Sequence, residues 1–272
     1  MGILLELINE PDISIEAECL NPSLTGLNPA EIAHLKVWQG RTQIELGEFF
    51  SVKSIKTADE AELHIRGNLE KVKRIGQGLS SGRMVIHGNC GMHLGEGITG
   101  GEIEVHGNIG NWSLCLMQGG VARIYGSAGA FMGAAFPGDS RGMKGGTIWV
   151  QKDVGARAVE RMRRGLLVVG GTLGEFGAAE MIAGTVVSLG FLKARAGASM
   201  KRGTIIAMGQ YDPLICGFEK ACTYTPAFTG LLGRELKNIG FIDDYSLFTK
   251  GFTRWCGDRT SLGKGEILIH EG

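Results

Sequence analysis

Along the middle of this chain apolar residues come in pairs, two positions apart, and each pair follows a glycine. The glycines are Gly82, Gly101, Gly120, Gly146, Gly165, Gly184 and Gly203. Two residues on stand Met84, Ile103, Ala122, Ile148, Leu167, Val186 and Ile205, and four on stand Ile86, Val105, Ile124, Val150, Val169, Ser188 and Ala207. Apolar, largely β-branched residues with this spacing predict a short strand with one buried face. The step between phrases is 19 residues, except for one of 26 between Gly120 and Gly146. A repeat of this length, rich in glycine, predicts a solenoid in which each phrase is one coil stacked on the last.

Three residues before the phrase glycine stands Leu79, Ile98, Met117, Met143, Met162, Met181 or Met200. Methionine at a fixed place stacks one flexible thioether on the next along the core. Glycine at this density rules out a helix, at about 1 kcal/mol per site. The expected fold is mainly β: a right-handed parallel β-helix with a 19-residue period. Leu63, Ile65 and Gly67 read as an earlier coil, giving about eight and a rod of roughly 40 Å. The long step places an insertion at about 134–140, around Phe136, Pro137, Gly138 and Asp139. A loop leaving a regular rod is a candidate partner contact, and a tolerated surface bulge is the plainer reading.

Both ends break the register. Residues 1–60 read as a small α+β cap, with strands near 3–8 and 13–18. A helix is announced by Asn28, Pro29 and Glu31, and a hairpin turns at Gly40 and Arg41. Residues 61–210 hold the coils. Residues 211–272 read as a tail, with a helix at about 226–238 and a terminal strand at 265–270. Outward positions of the early strands carry Arg83, Glu102, Glu104 and Arg123; the later ones carry Trp149, Leu166, Val168, Val187 and Ile206. A strand apolar on both faces is covered on both. The tail, a partner protein or both cover this face, and Trp149, Val187 and Ile206 are candidates for partner contact.

Composition narrows the function. Lysine plus arginine and aspartate plus glutamate each number 28, so the chain is neutral and bulk nucleic-acid binding is not expected. No run predicts membrane insertion, and the six cysteines lack C-x-x-C spacing, so a cytoplasmic chain with reduced thiols is expected. The charge is uneven. Before residue 63 eleven acids face four bases; between 141 and 202 eleven bases face four acids. Lys144, Arg163 and Lys201 share one place in the repeat, and Arg164 and Arg202 share the next. Stacking makes them a basic edge for an extended polyanion, interrupted at Ile182 and Ala183; a solvated edge is the bland alternative. His87 and His106 fall in register and predict a surface ladder continuing to Tyr125 rather than a metal pair. Glu102 and Glu104 lie on one strand without the basic partner that a lyase needs. The string Gly95-Glu96-Gly97-Ile98-Thr99-Gly100 precedes a strand, not a helix, and reads as a corner rather than a dinucleotide site. No catalytic motif is recognised.

Val37-Trp38-Gln39-Gly40, then Leu46-Gly47-Glu48-Phe49-Phe50, the glycine coils, and Gly263-Lys264-Gly265-Glu266-Ile267-Leu268 together resemble the C subunit of formylmethanofuran dehydrogenase. The resemblance covers nearly the whole chain. It implies a β-helix shared with the carboxy-terminal domain of the glutamate synthase large subunit. It also implies a non-catalytic scaffold, with chemistry and metals on sister subunits. Two settings follow from it. One is a molybdenum or tungsten enzyme that reduces CO2. The other is a bacterial formyltransferase/hydrolase complex, which moves a formyl group from tetrahydromethanopterin to a methanofuran-type carrier and hydrolyses it to formate. The runs at Arg161–Leu166 and Met200–Gly203 look more like the bacterial branch. A structural domain of an amidotransferase similar to glutamate synthase is a further alternative. If the carrier has a glutamyl tail, Lys144, Arg163, Arg164, Lys201 and Arg202 are the expected track for it.

Overall fold

The computed structural model describes residues 2–57 and 61–271. Asp59 and Glu60, two of the amino-terminal acids, lie outside the described residues. Each phrase forms one strand, and each strand pairs in parallel with the next. The series runs Glu62–Arg66, Arg83–His87, Glu102–Val105, Val121–Ile124, Thr147–Val150, Leu166–Val169, Thr185–Ser188 and Arg202–Ala207. The register follows the sequence phrase: Met84 faces Ile103, then come Ala122, Ile148, Leu167, Val186 and Ile205. A second file of parallel bridges runs from Leu69 through Cys90, Ile109, Ala128, Val154, Leu173 and Leu192 to Tyr211. The residue two places beyond the phrase glycine is fully buried in every repeat from Met84 to Ile205.

Glycine and methionine are spaced as they are because they meet between repeats. A Cβ on Gly165 would lie 2.6 Å from the Met143 methyl and 2.8 Å from the Gly146 oxygen, and its φ of +115° disfavours a side chain in any case. The same methionine-over-glycine contact recurs for Met117 on Gly146, Met162 on Gly184, Met181 on Gly203 and Met200 on Gly265. At Gly88 the constraint is backbone against backbone: a Cβ would meet the Gly67 oxygen at 1.9 Å.

The ends extend the ladder. Gly2–Leu7 pairs in parallel with Glu62–Arg66 and antiparallel with Phe50–Ile55, so the amino-terminal segment continues the main sheet. Helix α1 (Pro29–Ala33) is capped as its sequence predicts. The Glu31 N–H donates to Asn28 Oδ1 at 2.9 Å, and the Asn28 N–H donates to Glu31 Oε2 at 2.9 Å. The hairpin Lys36–Gln39/Thr42–Glu45 joins Ile15–Glu16 and Val72–Lys73 in a four-stranded sheet. At the other end Lys264–His270 is the next parallel rung after Arg202–Ala207, followed outward by Phe252–Gly257 and Glu219–Tyr224. The main sheet thus counts 13 strands among the described residues, and the chain is mainly β. Helix α2 (Ala227–Asn238) folds back over the sheet. No helix among the described residues is long and apolar enough to cross a membrane.

Candidate functional site

The basic edge is built by the ladder. Backbone N–H groups of Lys144, Arg163, Ile182 and Lys201 donate to the carbonyls of Met117, Met143, Met162 and Met181 at 2.7–2.8 Å, which sets these four residues on successive rungs. Arg164 and Arg202 occupy the adjoining row. Lys144, Arg164, Lys201 and Arg202 are exposed and Arg163 is half-buried. None of the five joins an ion pair among the described residues, whereas Arg161 beside them is held by Glu180 at 3.0 Å and the Asp139 carbonyl at 2.8 Å. A hollow lined by Ser140, Arg161, Glu180, Ser199, Lys201 and Ser261 lies against the gap at Ile182. Such an edge fits a ligand with spaced negative charges.

The apolar late strands are covered by the chain's own tail. Trp149, Val187 and Ile206 form one cluster with Val168, Leu268 and the tail residues Leu236, Phe248 and Phe252. Ile206 and Val187 are fully buried and Trp149 is 9% exposed. The tail therefore covers Val187 and Ile206 within the chain. The sequence offered the tail, a partner or both as cover, and the packing of Leu236 and Phe248 on these strands supplies the tail.

The insertion holds Phe136 half-buried, its ring 5.5 Å from Trp112 and 5.8 Å from His93. Pro137 and Asp139 remain exposed. The Arg161 hydrogen bond to the Asp139 carbonyl ties the loop to the hollow beside the basic edge.

The histidine ladder is longer than its register suggested. Ring centroids step from His64 to His87 (5.7 Å), to His106 (5.3 Å) and to Tyr125 (4.7 Å). Sequence reasoning missed His64 because it pairs with Val85, two places out of register with His87, whose own strand partner is Arg66. Glu62 lies 3.2 Å from His64 and Glu104 lies 2.9 Å from His106, while Arg83 donates to Glu104 at 2.6 Å. Burial, then the charges of His106 and His64, hold His87 below the ordinary imidazole pKa. Burial opposes ionisation of Glu104, yet the Arg83 hydrogen bond and charge bring its pKa below the usual carboxylate value. Nowhere among the described residues do three His, Cys, Asp or Glu side chains gather as a metal site. The face is a connected polar network in which Glu62 and Glu104 each meet a histidine and Arg83.

No family model matches the chain. Among curated relatives, the C subunit of the molybdenum formylmethanofuran dehydrogenase 1 of Methanosarcina barkeri is 38% identical over 100 residues, 34% of this chain and 33% of that protein. Its counterpart in Methanothermobacter thermautotrophicus is 37% identical over 95 residues, 35% of this chain and 24% of that protein. The C subunit of the tungsten enzyme of that organism is 32% identical over 95 residues, 34% of this chain and 35% of that protein. The match therefore spans only a quarter to a third of these relatives' length. Among solved structures, a chain of the formyltransferase/hydrolase complex (FhcABCD) of Methylorubrum extorquens, solved with methylofuran, superposes with a TM-score of 0.88 at 32% identity, covering 99% of this chain and 100% of that one. With a full-length match of that identity and sequence relatives that are C subunits of molybdenum and tungsten formylmethanofuran dehydrogenases, the chain belongs to the family of formylmethanofuran dehydrogenase C subunits.

Proposed function

We propose that this chain is a non-catalytic scaffold in a cytoplasmic one-carbon complex. That complex transfers a formyl group between tetrahydromethanopterin and a methanofuran-type carrier, then hydrolyses it to formate. The chain's own form in this reading is a right-handed parallel β-helix of about eight coils at 61–210. A cap precedes the coils and a tail follows them. Its partners are a formyltransferase and a metal-dependent hydrolase, which hold the reacting groups and the metal. The observation that carries the reading is the end-to-end similarity to a chain of a formyltransferase/hydrolase complex. The test is reconstitution: the formyltransferase and hydrolase subunits are assayed with and without this chain. The reading expects each separate activity to persist without it and the coupled conversion of formyl donor to formate to fall at least tenfold. Unchanged coupled conversion would contradict it.

Within this reading the basic edge holds the carrier's anionic tail. Lys144, Arg163, Arg164, Lys201 and Arg202 supply the charge, and the carrier supplies the formyl-accepting group. Five cations in two adjoining rows, without ion pairs among the described residues, support this assignment. Reversing charge with Arg163→Glu and Lys201→Glu is expected to weaken carrier retention at low salt at least tenfold while leaving assembly intact. Equal retention would remove the track. The exposed loop residues Pro137 and Asp139, with Phe136 behind them, are proposed to meet a sister subunit. A second reading, the C subunit of a molybdenum or tungsten formylmethanofuran dehydrogenase, is favoured by the names of the sequence relatives. It predicts a molybdopterin subunit among the chain's partners.

A further inference from the structure

One corner of the rod carries a planar side chain in repeat after repeat, at a backbone position that ordinarily suits glycine or asparagine. His93, Trp112, Phe131, Arg157, Phe176 and Arg195 have φ between +57° and +62°. Left-handed residues recur all along this turn, the buried Leu114 and Val159 among them, so the coil sets the backbone and brings these planar side chains into one file. Backbone N–H groups along this corner donate to the following repeat, as Trp112 does to Ala130 at 3.0 Å and Phe131 to Ala156 at 2.9 Å, so the side chains stand in file. Trp112 lies flat on Phe131, with centroids 4.2 Å apart and planes within 2°. Phe176 is covered on both sides by guanidinium groups, Arg157 at 5.0 Å and Arg195 at 5.1 Å. Phe136 of the insertion leans onto the same file at Trp112. The result is a ribbon about 25 Å long. Besides His93 it is made of tryptophan, phenylalanine and arginine, residue types enriched at protein interfaces. Its members are half-exposed, with Arg195 exposed.

We infer that this ribbon is the docking edge for a sister subunit, which meets it with an apolar segment flanked by acidic side chains. The inference rests on the proposed function, since it takes the chain to work in a hetero-complex. Charge decides the partner's character. Apart from the five cations assigned to the carrier, residues 141–202 hold six bases and four acids, and two of each are paired, Arg157 with Glu160 at 3.0 Å and Arg161 with Glu180 at 3.0 Å. Arg195 has its ring contact and no ion pair among the described residues. A second copy of this chain is the weaker occupant. Its acid-rich amino-terminal part spends Glu6 on Lys53, Glu45 on Lys36, and Glu16 and Glu18 on Arg74.

The test co-expresses the full chain with the formyltransferase and hydrolase subunits and measures affinity and thermal midpoint for each variant. Trp112→Ser with Phe131→Ser is expected to lower affinity for one sister subunit at least tenfold. Arg195→Glu, on an exposed side chain, is expected to lower it at least threefold, with the loss shrinking in high salt. A photo-crosslinking residue at Phe176, in the ribbon itself and away from the insertion, is expected to join that partner at a segment bearing acidic residues. This arm stands even where the double variant fails to fold. Assembly of the Arg195→Glu chain at unaltered affinity, or cross-links formed only within the chain or to a second copy, would overturn the docking edge. Failure of the unaltered chain to bind either partner would instead overturn the proposed function beneath it.

Discussion

At the scale of the residue, the structure turns on which side chains a neighbouring repeat can tolerate. Gly88→Ala places a methyl group on a carbonyl that lies 1.9 Å from the new Cβ, at a φ of +147°. It is expected to cost about 3 kcal/mol or more, read from the denaturant midpoint. Thiol reactivity follows burial. Cys216 and Cys222 are exposed, while burial pushes the Cys115 thiol up to about 12 and the Cys90 thiol higher still. A thiol reagent at pH 8 is expected to label the first pair in the native protein and to reach Cys90 and Cys115 only on unfolding. Rapid native labelling of Cys90 would contradict the packing of the second bridge file. His87 provides the pH dependence. Its native pKa lies below the reference value of 6.5, so the unfolded chain binds that proton more readily. Its contribution to stability is present above pH 6.5 and is lost as pH falls through that value toward the native pKa. The drop in midpoint between pH 7.5 and 5.5 is therefore expected to shrink in His87→Gln.

At the scale of the element, the tail is the piece that completes the fold. Its last strand is a rung of the main ladder, and its helix shields the apolar outer face of the late strands. Leu236 is fully buried at the centre of that contact. Leu236→Ala is expected to cost about 2–4 kcal/mol and to raise binding of a hydrophobic dye, as the face around Val187 and Ile206 opens. A midpoint within error of the unaltered chain would mean the tail is not needed for that face. Apolar outward positions revealed in the sequence that these strands are covered. They did not say by what, because periodicity reports burial and not the identity of the neighbour. The cap of α1 was legible to the residue, since Asn28, Pro29 and Glu31 act within four positions of one another. The planar ribbon was not. Trp112, Phe131 and Phe176 occupy left-handed positions where turn chemistry leads one to look for glycine, so nothing in the local sequence marks them as one file.

At the scale of the whole molecule, the repeat register was the strongest message in the chain, and the parallel pairing follows it strand for strand from Met84 to Ile205. The register says nothing of chemistry; the departures from it carry the surfaces. One long step holds Phe136 against Trp112, the methionine corners present Arg163 and Lys201, and the tail closes the late strands. The last of these is covered from within the chain, and the proposed function gives the other two to a sister subunit and the carrier, which is the organisation expected of a scaffold. The most direct test is native purification of this chain from its own cells at low salt, followed by identification and stoichiometry of what remains bound. The account predicts a formyltransferase and a metal-dependent hydrolase in fixed ratio with this chain, together with a carrier bearing an anionic tail. A chain recovered alone, or in fixed ratio with molybdopterin and iron–sulfur subunits instead, would contradict it.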